Sequence, residues 1–354
     1  MVEELPKYAF DTFLINSAGT AGLLETPDGT VGFSKWVSPK RTRSYPFERI
    51  YKTYNAPKII TVIPIIKDEG RDGDLDKIQA STISWMNLLN IYIVLGYYDH
   101  ALASRRYTGK ITRQQLNEVH VRAQIVEILA YKQSALHWNR SLIEDRFRAT
   151  FEQSLDSYTS ISQQTNVPVH EQRGLRAYAA DLEQDLQQFW IRSLRGSRGA
   201  ALRESRTIHA LEYLGDGYKG IFELENYLGG TYHLTADEIL TEDGVTIIQE
   251  SKNASRHALA SPSDIRDGLF KLILFANIDR LEIELGELTF RTRLKLTGLG
   301  VKGLLRLPCT NEALAGFLVE NRSVFKARHL DSIAKLRLEV AHNQKLEVEI
   351  RGNP

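Results

Sequence analysis

The spacing of apolar residues changes along this chain and predicts different elements in its first half. The segment KIITVIPIIKD, residues 58–68, is apolar and β-branched almost throughout, which predicts a buried strand. Pro64 is unfavourable inside that strand because proline cannot donate a hydrogen bond to a sheet. A helical segment, QASTISWMNLL, and another apolar run, NIYIVLGYY, follow it. The order strand, helix, strand predicts an α/β unit.

From about residue 112 to residue 195, apolar residues recur at spacings of three and four with charges between them, which predicts helices. The triplet His137-Trp138-Asn139 lies inside this pattern, which favours packing and hydrogen bonding over a role for the histidine as a catalytic base. The clearest break is SQQTNVPVHEQ, residues 162–172, with its Pro168. We therefore expect an N-terminal α/β and helical region over residues 1–165 and a second domain over residues 166–354.

A β-hairpin and a helix are predicted in the second domain. Asp243-Gly244 stands between the apolar runs TYHLTADEIL and VTIIQESKN, and this dipeptide is a strong hairpin signal. Ser261 or Ser263 is a candidate helix cap, and Pro262 suits the first turn of the helix that follows. Two strands, then a helix and a last strand, are predicted in RLEIELGEL, TFRTRLKLTGL and VFKARHLDSIAKLRLEVAHNQKLEVEI.

Three charged residues lie in the hairpin where an apolar run would be expected. Glu250 and Lys252 are two residues apart, so their side chains leave a strand on the same face. If the turn centres on Asp243-Gly244, Asp237 lies across from residue 250. Two carboxylates so arranged suit a divalent cation such as Mg²⁺. A lysine beside them could hold or deprotonate a water, or stabilise charge on a phosphate oxygen.

The alternative for these three residues is an exposed hairpin end that carries a salt bridge. The strand VTII is buried in character, and burying unpaired carboxylates is costly unless something such as a metal compensates. This context favours a metal site over the salt bridge.

The order of these elements resembles the core of the PD-(D/E)xK nuclease superfamily, and type II restriction endonucleases in particular. The resemblance lies in TADEIL…DGVTIIQESKN followed by DIRDGLFKLILFANI, within about residues 206 to 290, with Ala236 where the family has a proline. It implies an α/β fold with a restriction-endonuclease-like core, a mixed β-sheet flanked by helices. It also implies Asp237 and Glu250 as Mg²⁺ ligands and Lys252 as the catalytic lysine.

The resemblance further implies Mg²⁺-dependent, sequence-specific hydrolysis of double-stranded DNA that leaves 5′-phosphates. Superfamily members often add a glutamate from a preceding helix, for which Glu212 and Glu225 are candidates. Cutting both strands of a symmetric site predicts a homodimer, and the resemblance implies a cognate DNA methyltransferase as a functional partner. The alternatives are a repair, recombination or transposon nuclease of the same superfamily with low sequence specificity, and a non-catalytic DNA-binding protein.

The overall charge neither requires nor excludes DNA, because 45 basic and 44 acidic residues give a formal net charge of +1. Two basic segments and the residue after Lys252 are candidates for phosphate contacts, with solvated loops as the alternative. These candidates are Lys35, Lys40, Arg41, Arg43, Arg195, Arg198, Arg203, Arg206 and Asn253. Residues 1–165 are a candidate region for DNA recognition or dimerisation.

Composition limits the cellular setting. The chain has 354 residues, of which 42% are hydrophobic, enough for a sizeable core. No window approaches the roughly 18 apolar residues of a membrane span, and the start MVEELPKYAF does not resemble a secretory signal. The single cysteine, Cys309, excludes an intrachain disulfide framework. We expect a cytoplasmic protein without a membrane partner.

Overall fold

A computed structural model describes residues 5–39, 56–184, 218–225, 231–278, 282–283, 286–287 and 289–353. The chain divides into two compact units. Among the described residues, the first unit holds 5–39, 56–184, 225 and 231–232, and the second holds 218–224 and those from 233 to 353. The first unit thus extends beyond the boundary at residue 165 that the sequence predicted. The physical reason is packing across the break, where the rings of Phe151 and Tyr178 are in contact and Arg176 pairs with Glu152.

The first unit contains a five-stranded sheet in the order β1-β2-β3-β4-β7, in which only the β2–β3 pairing is antiparallel. Its strands, with two further hairpins, are β1 Lys7–Ala9, β2 Ala21–Thr26, β3 Gly29–Lys35, β4 Ile59–Pro64, β5 Ile66–Asp68, β6 Leu75–Lys77, β7 Tyr92–Gly96, β8 Tyr98–Ala103 and β9 Ile111–Leu116. Helix α1, Ala80–Leu88, joins the parallel strands β4 and β7, which confirms the predicted α/β unit. Pro64 is the last residue of β4, where a proline is tolerated.

Four α-helices follow in this unit: α2 Glu118–Ala130, α3 Ala135–Ser141, α4 Phe147–Thr165 and α5 Arg173–Gln184, with a π-helical turn at Leu142–Arg146. The helix predicted from residue 112 was wrong at its start. Residues Ile111–Leu116 form a strand because they pair with β8, and Asn117 caps the helix by accepting a hydrogen bond from the His120 N–H. The predicted break is confirmed, since α4 ends at Thr165 and Asn166 adopts a left-handed conformation.

Trp138 and Asn139 of the His137-Trp138-Asn139 triplet are buried and hydrogen-bonded, as the helical setting predicted, while His137 is exposed and bonds the Tyr131 hydroxyl. Trp138 Nε1 donates a hydrogen bond to the Ile93 carbonyl at 2.8 Å. Asn139 accepts from the Ile93 N–H at 2.9 Å and donates to the Ile91 carbonyl at 2.9 Å. These side chains therefore fix α3 against strand β7.

The second unit contains a six-stranded mixed sheet in the order β10-β11-β12-β15-β17-β16. Its strands and helices are β10 Tyr218–Glu225, β11 Thr231–Glu242, β12 Val245–Ala254, α6 Pro262–Ala276, β13 Glu282–Ile283, β14 Gly286–Glu287, β15 Phe290–Gly298, β16 Leu304–Leu307, α7 Asn311–Glu320, α8 Ala327–His342 and β17 Leu346–Gly352. Strands β12, β15 and β17 run parallel, while β11 is antiparallel to β12 and β16 is antiparallel to β17. The expected mixed sheet with helices is confirmed, and the described residues of RLEIELGEL form the two-residue strands β13 and β14.

The two faces of this sheet differ chemically. On β15, the buried Leu294 and Leu296 lie on the face that α6 covers, while Arg293 and Lys295 lie on the opposite face. There Arg293 makes a two-pronged ion pair with Glu242, at 2.7 Å for each contact. A charged side chain on the α6 face is therefore unusual in its surroundings.

No helix in the described ranges has the length and apolar character needed to cross a bilayer.

Candidate active site

The hairpin that carries Asp237 and Glu250 forms as the sequence predicted. Asp243 and Gly244 have φ values of 51° and 77°, the pair of positive angles that a tight two-residue hairpin turn requires. Glu238 pairs with Gln249 across the two strands. Continuing that register by one residue brings Asp237 opposite Glu250, so both carboxylates lie on the face that α6 covers. Asp237 is held in place by the Ser251 N–H, which donates to its Oδ2 at 2.9 Å.

Helix α6 brings a second set of charges to this face. Ser261 caps it by accepting from the Asp264 N–H at 3.2 Å, and Pro262 occupies the first turn, as predicted. Gly268 lies directly over the strand: a Cβ there would be 3.2 Å from Lys252 Cε and 2.8 Å from Leu294 Cδ1. The absence of a side chain at this position therefore allows the helix to approach Glu250 and Lys252 closely.

Asp267 and Lys271, one turn apart on α6, pair with the two residues of the E-x-K segment. Lys252 Nζ lies 3.3 Å from Asp267 Oδ2 and 3.6 Å from Glu250 Oε1. Lys271 Nζ lies 3.0 Å from Glu250 Oε2 and 3.1 Å from Glu250 Oε1. We call Glu250, Lys252, Asp267 and Lys271 the charge quartet.

Sequence reasoning did not identify Lys271 or Asp267 as residues of the site. One signal was available, because Asp267 and Lys271 are four residues apart on a helix that follows the E-x-K strand, and such residues share a helix face. Nothing in that spacing indicated that this face would turn toward Glu250.

Burial dominates the electrostatics of Glu250, which is only 3% exposed. Burial raises the pKa of this carboxyl, and Asp237 raises it further, while Lys271 and Lys252 lower it, with the result that the pKa lies at about 7. Burial also lowers the pKa of Lys252, but the carboxylates of Glu250, Asp267 and Asp237 outweigh it and raise that pKa above its ordinary value. Lys252 is consequently an ammonium at neutral pH, which favours charge stabilisation over removal of a proton from water.

The carboxylates can be tested as ligands for Mg²⁺. Among the described residues, no group of three or more His, Cys, Asp or Glu is arranged to hold a metal ion. Asp237 and Glu250 remain as a pair, and Glu250 Oε2 accepts no hydrogen bond from any described residue. Mg²⁺ often takes one or two carboxylates and completes its shell with water and phosphate oxygens. The pair therefore fits an open Mg²⁺ site and does not fit a closed protein cage.

The sequence reasoning assigned the compensation for burying Glu250 to a metal, but the chain itself provides part of it. Two ammonium groups, from Lys271 and Lys252, already lie within 4 Å of its oxygens. These ammonium groups offset the burial only in part, since the pKa of Glu250 is still raised to about 7.

The described structure gives the remaining predicted residues other positions or does not include them. Glu225 is the last residue of strand β10 and does not lie on a helix. Lys35 donates from Nζ to the carbonyls of Ile15 and Asn16, at 2.5 and 3.4 Å. Exposed Asn253 accepts from the Thr297 hydroxyl at 3.1 Å. Eight candidates lie outside the described residues: Lys40, Arg41, Arg43, Arg195, Arg198, Arg203, Arg206 and Glu212.

Comparisons of the chain with protein-family models, with curated proteins and with solved structures find no match. The candidate site therefore depends on its own residues and their geometry.

Proposed function

We propose that this protein is a type II restriction endonuclease that uses Mg²⁺ to hydrolyse double-stranded DNA at a specific sequence and leaves 5′-phosphates. The observation that carries the proposal is the meeting of Asp237, Glu250 and Lys252 on one face of a mixed sheet, beneath helix α6. An acidic residue on one strand, E-x-K on the next and then a helix packed on the sheet is the arrangement that the family resemblance implies.

Each residue has a role in this proposal that follows from its surroundings. Asp237, oriented by the Ser251 N–H, and Glu250 would hold Mg²⁺. When bound, Mg²⁺ polarises a phosphate and lowers the pKa of a water. Lys252, as an ammonium, stabilises the negative charge that develops on a phosphate oxygen during attack. Asp267, 3.3 Å away, orients that ammonium.

The partners follow from the reaction. Cutting both strands of a symmetric site takes two active sites, so we propose a homodimer. A cognate DNA methyltransferase would protect the host DNA, and a cytoplasmic location would give the enzyme access to its substrate.

A non-catalytic DNA-binding protein is the second candidate, and one observation favours it. The charge quartet neutralises itself, as a purely structural ion-pair cluster does. In that case the three residues would stabilise the fold without touching DNA.

Cleavage of a long DNA of mixed sequence in the presence of Mg²⁺ separates the candidates. Discrete fragments support a restriction endonuclease, and a smear supports a repair, recombination or transposon nuclease with low specificity. Binding without cleavage supports the non-catalytic protein.

Two variants test the assignment of the site. Asp237→Ala and Lys252→Ala are each expected to abolish cleavage while DNA binding and the circular dichroism spectrum stay close to wild type. Asp331→Ala is the matched control, because Asp331 is an exposed carboxylate of the same unit that pairs with Lys335 one turn along α8. A site variant that cuts at the wild-type rate would refute the assignment.

A further inference from the structure

The ammonium of Lys271 lies against both oxygens of Glu250. The two distances, 3.0 Å to Oε2 and 3.1 Å to Oε1, are nearly equal, although only the contact with Oε1 has the geometry of a hydrogen bond. Both side chains are largely buried, with 18% exposed for Lys271 and 4% for Glu250. A contact this short between buried charges is stronger than one in water.

Of the two lysines beside Glu250, Lys271 lies closer than Lys252 of the E-x-K segment. Lys252 Nζ is 3.6 Å from Glu250 and 3.3 Å from Asp267, so its shorter contact is with the helix carboxylate. Helix α6 thus provides Lys271 as a partner for Glu250 and Asp267 as a partner for Lys252. The Lys271 ammonium therefore lies against the same oxygens through which Glu250 would bind a metal.

We propose that Lys271 is an internal counter-ion that competes with a divalent cation for Glu250, so that metal binding requires the Lys271–Glu250 pair to open. The proposal rests on the proposed function in one respect, since it takes Glu250 as a metal ligand. A divalent cation at coordination distance from this carboxylate would lie close to the ammonium, and the two positive charges repel. Opening the pair removes that repulsion.

The chain offers the released ammonium an alternative partner. Asp267 is four residues before Lys271 on α6, a spacing at which a carboxylate and an ammonium can pair along a helix. Asp267 is also partly exposed, so Lys271 can turn toward it and toward solvent without breaking the helix. Lysine suits this exchange because its charge is carried on a flexible four-carbon stem.

The test is Mn²⁺ binding to the full chain without DNA, measured by titration calorimetry. Lys271→Gln is expected to bind Mn²⁺ about tenfold more tightly than wild type, a typical size for coupling between two ligands. Lys271→Arg retains the charge and is expected to bind like wild type. Lys335→Gln is the matched control, since it removes a lysine paired with Asp331 at 2.8 Å elsewhere in the same unit. Glu250→Gln should bind Mn²⁺ weakly, whether it is made in the wild-type chain or together with Lys271→Gln.

A second measurement uses the unaltered chain and does not depend on any variant folding. Amine labelling followed by mass spectrometry should show that Lys271 reacts faster when Mn²⁺ is present, while Lys335 reacts at the same rate. Mn²⁺ binding that requires Glu250 but leaves both the Lys271→Gln affinity and the Lys271 reactivity unchanged would overturn the inference and leave the proposed function standing.

The two proposals can fail separately. Tighter binding by Lys271→Gln without any DNA cleavage would support the counter-ion and contradict the nuclease. If neither wild type nor Lys271→Gln bound Mn²⁺, both the counter-ion and the metal role of Glu250 would be refuted.

Discussion

Replacing Glu250 with glutamine should make the protein more stable at alkaline pH and leave its stability unchanged in acid. Glu250 is buried, and its pKa is raised from 4.5 to about 7, with burial as the largest cause. Between these two values the folded chain binds more protons at this site than the unfolded chain does. The stability that protonated Glu250 contributes is therefore fully present below pH 4.5 and is lost as the pH rises through about 7.

The size of the effect follows from the shift. One pKa unit corresponds to about 1.4 kcal/mol, so the charged carboxylate costs the folded state about 3 kcal/mol. Glutamine resembles the protonated acid in shape and cannot ionise. The variant should thus exceed wild type by about 3 kcal/mol at pH 8.5 and by nothing at pH 4. The same substitution should abolish cleavage, because it removes a metal ligand.

Urea unfolding at several pH values, followed by far-UV circular dichroism, measures this difference. Fluorescence is less suitable, because Trp36, Trp85 and Trp138 lie in the first unit and would not report on the sheet that carries Glu250. Glu320→Gln serves as the control, because it makes the same substitution at an exposed glutamate at the end of α7. A constant difference for Glu250→Gln from pH 4 to pH 8.5 would refute the reasoning.

Gly268→Ala, with Gly316→Ala as its control, tests the packing around the site, and Asn139→Ala tests the packing of the first unit. Gly268→Ala should lower the free energy of unfolding by about 1–3 kcal/mol, because the new methyl group would lie 2.8 Å from Leu294 Cδ1. On α7, the new methyl group of Gly316→Ala meets no atom within 4 Å, so this substitution should instead raise the free energy of unfolding by up to about 1 kcal/mol. Equal effects at the two glycines would contradict the close approach of α6. Asn139→Ala should cost about 1–3 kcal/mol in urea unfolding, because it leaves the buried Ile93 N–H without its acceptor, and an unchanged midpoint would argue against this anchor.

The sequence alone predicted the elements whose signals are local. The Asp243-Gly244 turn depends on the angles of two residues, and the start of α6 depends on Ser261 and Pro262. Because that turn fixes the register of the hairpin, it also predicted that Asp237 faces Glu250. Residues Ile111–Leu116 were read as helix, since their pairing with β8 is not visible in local spacing.

Only the tertiary structure determined what surrounds Glu250. The spacing of Asp267 and Lys271 is compatible with any exposed helix, and their pairing with Lys252 and Glu250 depends on how α6 packs on the sheet. The pKa of Glu250 likewise depends on burial, which no local pattern measures. Local sequence determines the position of a side chain along a strand, whereas its solvation and partners arise from segments distant in the chain that meet only on folding.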